Sequence, residues 1–339
     1  MKRHAFRRFG LILVLILLVA TPLVLFPPHQ PLPATGPHAV TTARHTYADE
    51  SRVERFSDKE ENRRVNVAFW YPQVAPRGET FPLVVFSHGG LGTETSNESL
   101  FLELASHGYV VASIGHPYHT LRTEDESGRA TFVNMDYVRG LQQEDAKRDK
   151  EQSFRYYQTW METRMGDIDL AIDAILNNAS NNADGVYSLV DVGRIGVMGH
   201  SLGGSAALAM PRQRDDIDAV IALEAPFLYD IIGVEKGEFS WLDAAYPAPV
   251  LNIYSDSSWS HLAEWPQYAR NHELLASASP TVVSLHLPGA GHFSLTDLAL
   301  ASPLLVQLLE GTSTAVDHTA YLQAVNQACL DFFDRYLKN

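Results

Sequence analysis

The sequence predicts an α/β fold, with a mostly parallel central sheet covered by helices on both faces. Three observations carry this. Short β-branched runs alternate with longer helical patterns from about residue 64 onward, as strand–helix–strand units do. Leu83-Val84-Val85-Phe86 is apolar without alternation, which suits a strand buried on both faces. Arg194–Gly199 runs through a glycine-rich turn directly into a helical stretch.

The N-terminus stands apart from that pattern. Lys2, Arg3, Arg7 and Arg8 precede an uncharged apolar run over residues 9–26. This is the layout of an export signal peptide, or of an N-terminal membrane anchor with its basic end in the cytoplasm. Eighteen apolar residues are few for a span and many for a signal core, so both readings of residues 1–26 stand. Either way the protein is expected outside the cytoplasm, secreted or anchored in the membrane by this segment. No cysteine directly follows the run, which excludes a lipoprotein anchor. Residues 27–45, rich in Pro, Thr and His, read as an extended linker, and residues 46–339 as the catalytic domain.

Within that domain Arg64–Tyr71 alternates like an early edge strand, and Leu83–Phe86 is the buried strand after it. Leu100, Phe101, Leu104 and Ala105 mark a helix ended by Gly108, and Tyr109–Ile114 is the next strand. Residues 116–159 are more polar and read as a solvated crossover or as a lid insertion beside the site. Met161, Met165, Ile168, Ile172 and Ile175 mark a long helix packed on the sheet. Strands follow at Arg194–Gly199, Ala219–Leu223, Val250–Tyr254 and Val282–Leu287, then a core-facing helix through Leu322, Val325, Cys329, Phe332 and Tyr336.

Net charge is −14, and beyond residue 26 the chain carries 22 basic against 40 acidic residues. Such a balance argues against nucleic-acid binding, which needs clustered Lys and Arg, and against docking on anionic lipid. Cys329 is the single cysteine. It excludes an intrachain disulfide and a thiolate zinc site, and its place in an amphipathic pattern suits a buried inert thiol.

Gly199-His200-Ser201-Leu202-Gly203 has the Gly-x-Ser-x-Gly form. The pentapeptide alone is weak evidence. Following a strand and opening a helix, it describes the nucleophile elbow of α/β-hydrolases, where a strained turn lifts the serine hydroxyl out of the sheet. An incidental serine in a tight turn explains less of this context. Acyl transfer also needs N–H donors for the tetrahedral oxyanion. Leu202, the residue after the nucleophile, supplies one. The loop His88-Gly89-Gly90-Leu91-Gly92 supplies the other, Gly90 first and Leu91 second. Of fourteen histidines, chain order selects His292, in the loop after the last strand, as general base. For the acid, Glu224 and Asp256 each end a strand between serine and histidine, and position alone modestly favours Asp256.

Phe86-Ser-His-Gly, Leu104-Ala-Ser-His-Gly-Tyr-Val-Val-Ala, Arg194-Ile-Gly-Val-Met-Gly-His-Ser-Leu-Gly-Gly and the Gly-x-x-His loop at His292 resemble the plasma and intracellular type II platelet-activating-factor acetylhydrolases. The resemblance spans about residues 65–337. It implies a calcium-independent serine esterase, without metal or cofactor, that removes short acyl chains from phospholipids. It also moves the acid to Glu224, in Ile221-Ala-Leu-Glu-Ala-Pro, leaving Asp256 as the alternative. Two departures stand out: the family has aspartate where this chain has Glu224, and His88-Gly-Gly-Leu-Gly carries an extra glycine. General carboxylesterases and polyester hydrolases share this elbow, and a hydrolase-fold acyltransferase would look the same. A non-catalytic scaffold usually loses the serine or histidine, and this chain keeps both. Partners are therefore expected to be a small or lipid ester, plus the membrane if the N-terminal segment is uncleaved. The oligomeric state is not encoded legibly.

Overall fold

A computed structural model describes residues 24–57, 59–76, 78–181, 184–277, 279–311 and 317–338. Eight strands form the central sheet: Val40–Val53 (β1), Asn62–Pro72 (β2), Phe81–Ser87 (β3), Val110–Ile114 (β4), Val190–His200 (β5), Ala219–Leu223 (β6), Val250–Ser255 (β7) and Val282–Leu287 (β8). Their spatial order is β1-β2-β4-β3-β5-β6-β7-β8. β1 and β2 run antiparallel to their neighbours, and every pairing from β4 to β8 is parallel. The expected mostly parallel sheet is therefore present.

Helices cover both faces because their apolar stripes have nowhere else to go. On one face lie Lys150–Ser180 (α3) and Leu202–Ala209 (α4), burying Ile168, Ile172 and Ile175 with Val85 and Val197. On the other lie Glu98–Ser106 (α1) and His318–Leu337 (α5), burying Phe101, Leu104, Cys329 and Phe333 with Phe86 and Met198. Cys329 is a free, buried thiol, as its helical position implied. The side chain of Asp149 caps α3 by accepting from the Gln152 amide at 2.9 Å, so α3 starts well before the periodic methionines and isoleucines.

Two readings of the N-terminal part are corrected. The linker expected over residues 27–45 ends at Val40, where β1 begins and pairs with β2. Even before that strand the chain is docked. The amides of Leu32, Thr35 and Gly36 donate to the side chains of Ser99, Glu103 and Ser106 on α1, at 2.8, 2.9 and 3.0 Å. The strand was hidden because β1 is polar on most positions, which is how an exposed edge avoids further pairing. As a consequence β2, read as an edge, is an interior strand. The segment expected as signal or anchor lies outside the described residues up to residue 23. Among the described residues no helix is long and apolar enough to cross a membrane.

Residues 116–159 are ordered structure. They form a hairpin (Arg122–Glu124 with Ala130–Phe132), the helix Met135–Gln143 (α2) and the first turns of α3.

Parallel register then aligns the ends of the strands. Ser87 lies opposite Gly199, His200 opposite Leu223, Leu223 opposite Ile253, and Ser255 opposite Leu287. The loops after β3, β5, β6, β7 and β8 consequently emerge at one edge, where open α/β sheets carry their ligands.

Phe333 is wholly buried and its ring meets Gly196 of β5. Phe333→Ala should cost about 3–5 kcal/mol, read from the midpoint of urea unfolding at unchanged slope.

Candidate active site

Ser201 occupies the turn between β5 and α4 with φ 53° and ψ −124°, a region L-residues avoid. The surroundings hold it there. Its amide donates to the Leu223 carbonyl at 2.8 Å, and its own carbonyl accepts from Ser205 at 3.0 Å. The flanking glycines are required by space. A Cβ on Gly203 would lie 2.0 Å from the Ser87 carbonyl oxygen, and one on Gly199 would lie 2.4 Å from the Gly203 carbonyl carbon.

Ser201 opens onto a cavity of about 500 Å³ that Leu202, Gly90 and His292 also line. The glycine loop His88–Gly92 reaches this cavity because Gly89 passes directly over the elbow, and a Cβ there would stand 3.4 Å from that of Ser201. Leu91 takes φ 62° and bridges to Thr120, whose hydroxyl donates to the Gly92 carbonyl at 2.6 Å. The segment at 116–159 is thus part of the site. Leu121, Leu141, Glu144 and Tyr157 line the same cavity.

His292 begins the short turn after β8. Its amide donates to Ser257 Oγ at 3.0 Å, its carbonyl meets His200 Nε2 at 3.1 Å, and its ring packs 4.5 Å from that of His200. Burial pushes its pKa down to about 4.

The two candidate acids have opposite surroundings. Glu224 directly follows β6 at φ 54° and is 2% exposed. One carboxylate oxygen accepts the Ser255 amide, and the other, Oε1, is buried with no hydrogen-bond partner among the described residues. Burial raises its pKa, against the pull of the neighbouring Ser258 and Ser255 groups. Asp256 is exposed. Its oxygens are occupied by His286 Nε2 at 2.7 Å and the Gly289 amide at 2.8 Å, so it braces the turn ahead of His292. Only Glu224 retains an acceptor in the interior. No hydrogen bond joins Ser201, His292 and either acid among the described residues, and such bonds commonly tighten only once substrate is bound.

A second Ser–His–Asp chain was not legible in the sequence. Ser87 Oγ stands 2.8 Å from His116 Nε2, and His116 Nδ1 stands 3.0 Å from Asp167 Oδ2. Asp167 is gripped in turn by Arg63, at 3.0 and 2.6 Å. Burial and then the Arg164 charge push His116 down to about 4. Burial would raise Asp167, but Arg63 and His116 hold it well below the usual carboxylate range. By distance alone this chain looks more catalytic than the one at Ser201. Access separates them: Ser87, His116 and Asp167 are all 0% exposed, whereas Ser201 lines the cavity. His116 and Ser87 lie 29 positions apart and carry no motif, so no pattern in the sequence pairs them.

The described residues contain no group of three or more His, Cys, Asp or Glu placed to hold a metal ion.

Comparison with known proteins bears on this arrangement. A sequence model of platelet-activating factor acetylhydrolase, isoform II, matches residues 62–339. The chain belongs to that family. The platelet-activating factor acetylhydrolase of Gallus gallus is 24% identical over 284 residues, covering 77% of this chain and 63% of the relative. That of Cavia porcellus is 23% identical, covering 77% and 58%. This member of the acetylhydrolase family therefore spans about three-fifths of the length of those relatives. Cutinase 1 of Thermobifida cellulosilytica is 26% identical over 225 residues, covering 66% of this chain and 64% of the relative. Among solved structures, a ferulic acid esterase from Streptomyces cinnamoneus superposes with a TM-score of 0.65 at 22% identity, covering 91% of this chain and 92% of that one. That likeness places the chain in the α/β-hydrolase fold.

A histidine base must be neutral to accept a proton, and burial extends His292's neutral range downward. The acid limb of kcat/KM should therefore have its midpoint clearly below the ordinary histidine value of about 6.5. A pH–rate profile from 4 to 8 tests this, and an inflection at or above 6.5 contradicts it.

Proposed function

We propose that the protein is a serine carboxylic-ester hydrolase acting through an acyl-enzyme on Ser201. The observation that carries this is the strained Ser201 on a cavity shared with His292 and the glycine loop. In this reading His292 takes the Ser201 proton as Oγ adds to the ester carbonyl, then delivers it to the leaving alcohol. The amides of Leu202 and Gly90 receive the oxyanion. Glu224 orients His292 through its free Oε1 and stabilises the imidazolium. Water, activated by the same histidine, then releases the acid and restores Ser201.

The substrate class proposed is short-acyl phospholipids or related lipid esters. Family membership supports it, as does a cavity wall of Leu141, Trp160 and Leu228, apolar enough for an acyl group. A second reading, a general carboxylesterase or polyester hydrolase, draws on the cutinase relatives. It also draws on a larger polar chamber of about 900 Å³ that shares Glu144, Trp265 and Gln267 with the cavity and would admit bulky alcohol parts. With the basic-then-apolar N-terminus, the place of action proposed is outside the cytoplasm.

Ser201→Ala should abolish hydrolysis of p-nitrophenyl acetate with the fold intact by circular dichroism; persistent turnover would sink the mechanism. Glu224→Gln should lower kcat by about 10²–10⁴-fold, and Asp256→Asn by less than about threefold, as expected for a surface group. The reverse order would make Asp256 the acid. Rates on p-nitrophenyl esters of increasing chain length, beside a short-chain phospholipid, separate the two substrate readings.

A further inference from the structure

Beneath the glycine loop lies Arg164 of α3, the largest wholly buried side chain among the described residues. Its hydrogen-bond partners are all neutral. One guanidinium nitrogen donates to the His88 carbonyl and, at 3.4 Å, to Ser87 Oγ. The other donates to the Gly89 carbonyl at 3.2 Å and the Tyr137 hydroxyl at 3.4 Å. Enclosing a full charge against neutral acceptors opposes folding, so its location calls for a reason. Two of its acceptors are successive carbonyls of the loop that passes over Ser201.

Peptide geometry supplies that reason. No peptide bond among the described residues is cis, and in a trans peptide the C=O and N–H point in opposite directions. The Gly89 carbonyl accepts from Arg164 at 3.2 Å and from the Gly92 amide at 3.1 Å, with His88 Nδ1 2.7 Å away. The Gly90 N–H in the same peptide is thereby directed away from Arg164, on a loop that lines the cavity with Ser201. A cation on the carbonyl end also polarises the peptide, which makes its N–H a stronger donor. The field of Arg164 reaches this far: after burial, it is the main influence lowering the pKa of His88, His116 and His119. Tyr137, the remaining partner, is fixed by stacking on His119 with ring centroids 4.0 Å apart.

We propose that Arg164 is the positioning residue of the oxyanion hole, aiming and polarising the Gly90 amide from below without touching substrate. The inference rests on the ester-hydrolase reading and selects Gly90 over Leu91 as second donor.

The test compares wild type with Arg164→Met and Arg164→Lys, using three measurements on the full-length protein. The first is kcat and KM on p-nitrophenyl acetate. The second is affinity for a short alkyl trifluoromethyl ketone: Ser201 Oγ adds to its carbonyl, the serine proton passes to His292, and the carbonyl π pair becomes an oxyanion. The third is affinity for the matching trifluoromethyl alcohol, which binds without forming one. In Arg164→Met, kcat and ketone affinity should fall together by about 10²-fold, as for loss of one oxyanion donor. KM and alcohol affinity should stay within about threefold, the pattern of a contact made only with the oxyanion. Arg164→Lys keeps the charge but not the fork, and should fall between. If the methionine variant does not fold, the lysine variant decides by the same criterion, a loss of ketone over alcohol affinity. Ketone affinity that is unchanged, or that falls only as far as alcohol affinity, overturns the proposal while the hydrolase reading stands. A wild type that neither turns over the ester nor captures the ketone overturns the hydrolase reading itself, and this proposal with it.

Discussion

The site depends on how closely the first turn of α4 approaches the end of β3. Gly203 sits so near the Ser87 and His88 carbonyls that no side chain fits between them. That contact brings two loops from neighbouring parallel strands to within van der Waals distance. One loop carries Ser201 and the other passes over it at Gly89. The strain at Ser201 follows from the same constraint. A serine at φ 53° is costly by itself, and it persists because the Leu223 carbonyl, the glycines and the helix behind it leave the backbone no alternative.

Around this contact the interior is unusually polar. Arg63, Asp167, His116 and Ser87 form a continuous buried chain beside Arg164, under the β3 loop. Replacing such a chain with apolar residues need not weaken a protein, so its presence is not by itself a source of stability. Here the chain ends at Ser87, directly ahead of the glycine loop. The Ser87–His116–Asp167 chain also shows that hydrogen-bond distances do not by themselves identify a catalytic triad. The well-formed chain is wholly buried, whereas Ser201 lines the cavity and no hydrogen bond joins it to His292 or either acid among the described residues.

Glu224 and Asp256 show how burial distinguishes two carboxylates that local sequence treats alike. Each ends a parallel strand, one position from the same edge. Glu224 turns inward at positive φ and keeps one oxygen free in a dry environment, whereas Asp256 turns outward and spends both oxygens on bracing a turn.

The strands, the two apolar faces and the elbow were legible in the sequence because each rests on local chemistry. Hydrophobic runs mark buried strands, a 3–4 spacing marks the helices, and glycines beside a serine mark a turn nothing larger could make. β1 was not legible, because an edge strand with polar positions lacks that period, and the segment before it looked like a linker until its amides met α1. Nor were the contacts of Arg164 and His116, whose partners lie far away in the chain and carry no motif. The sequence alone determined that a serine would sit on a tight turn between a parallel strand and a helix. Which carboxylate stands in the interior, and which side chain lies beneath the glycine loop, were decided by parallel register and burial. Both arise only when distant segments pack together.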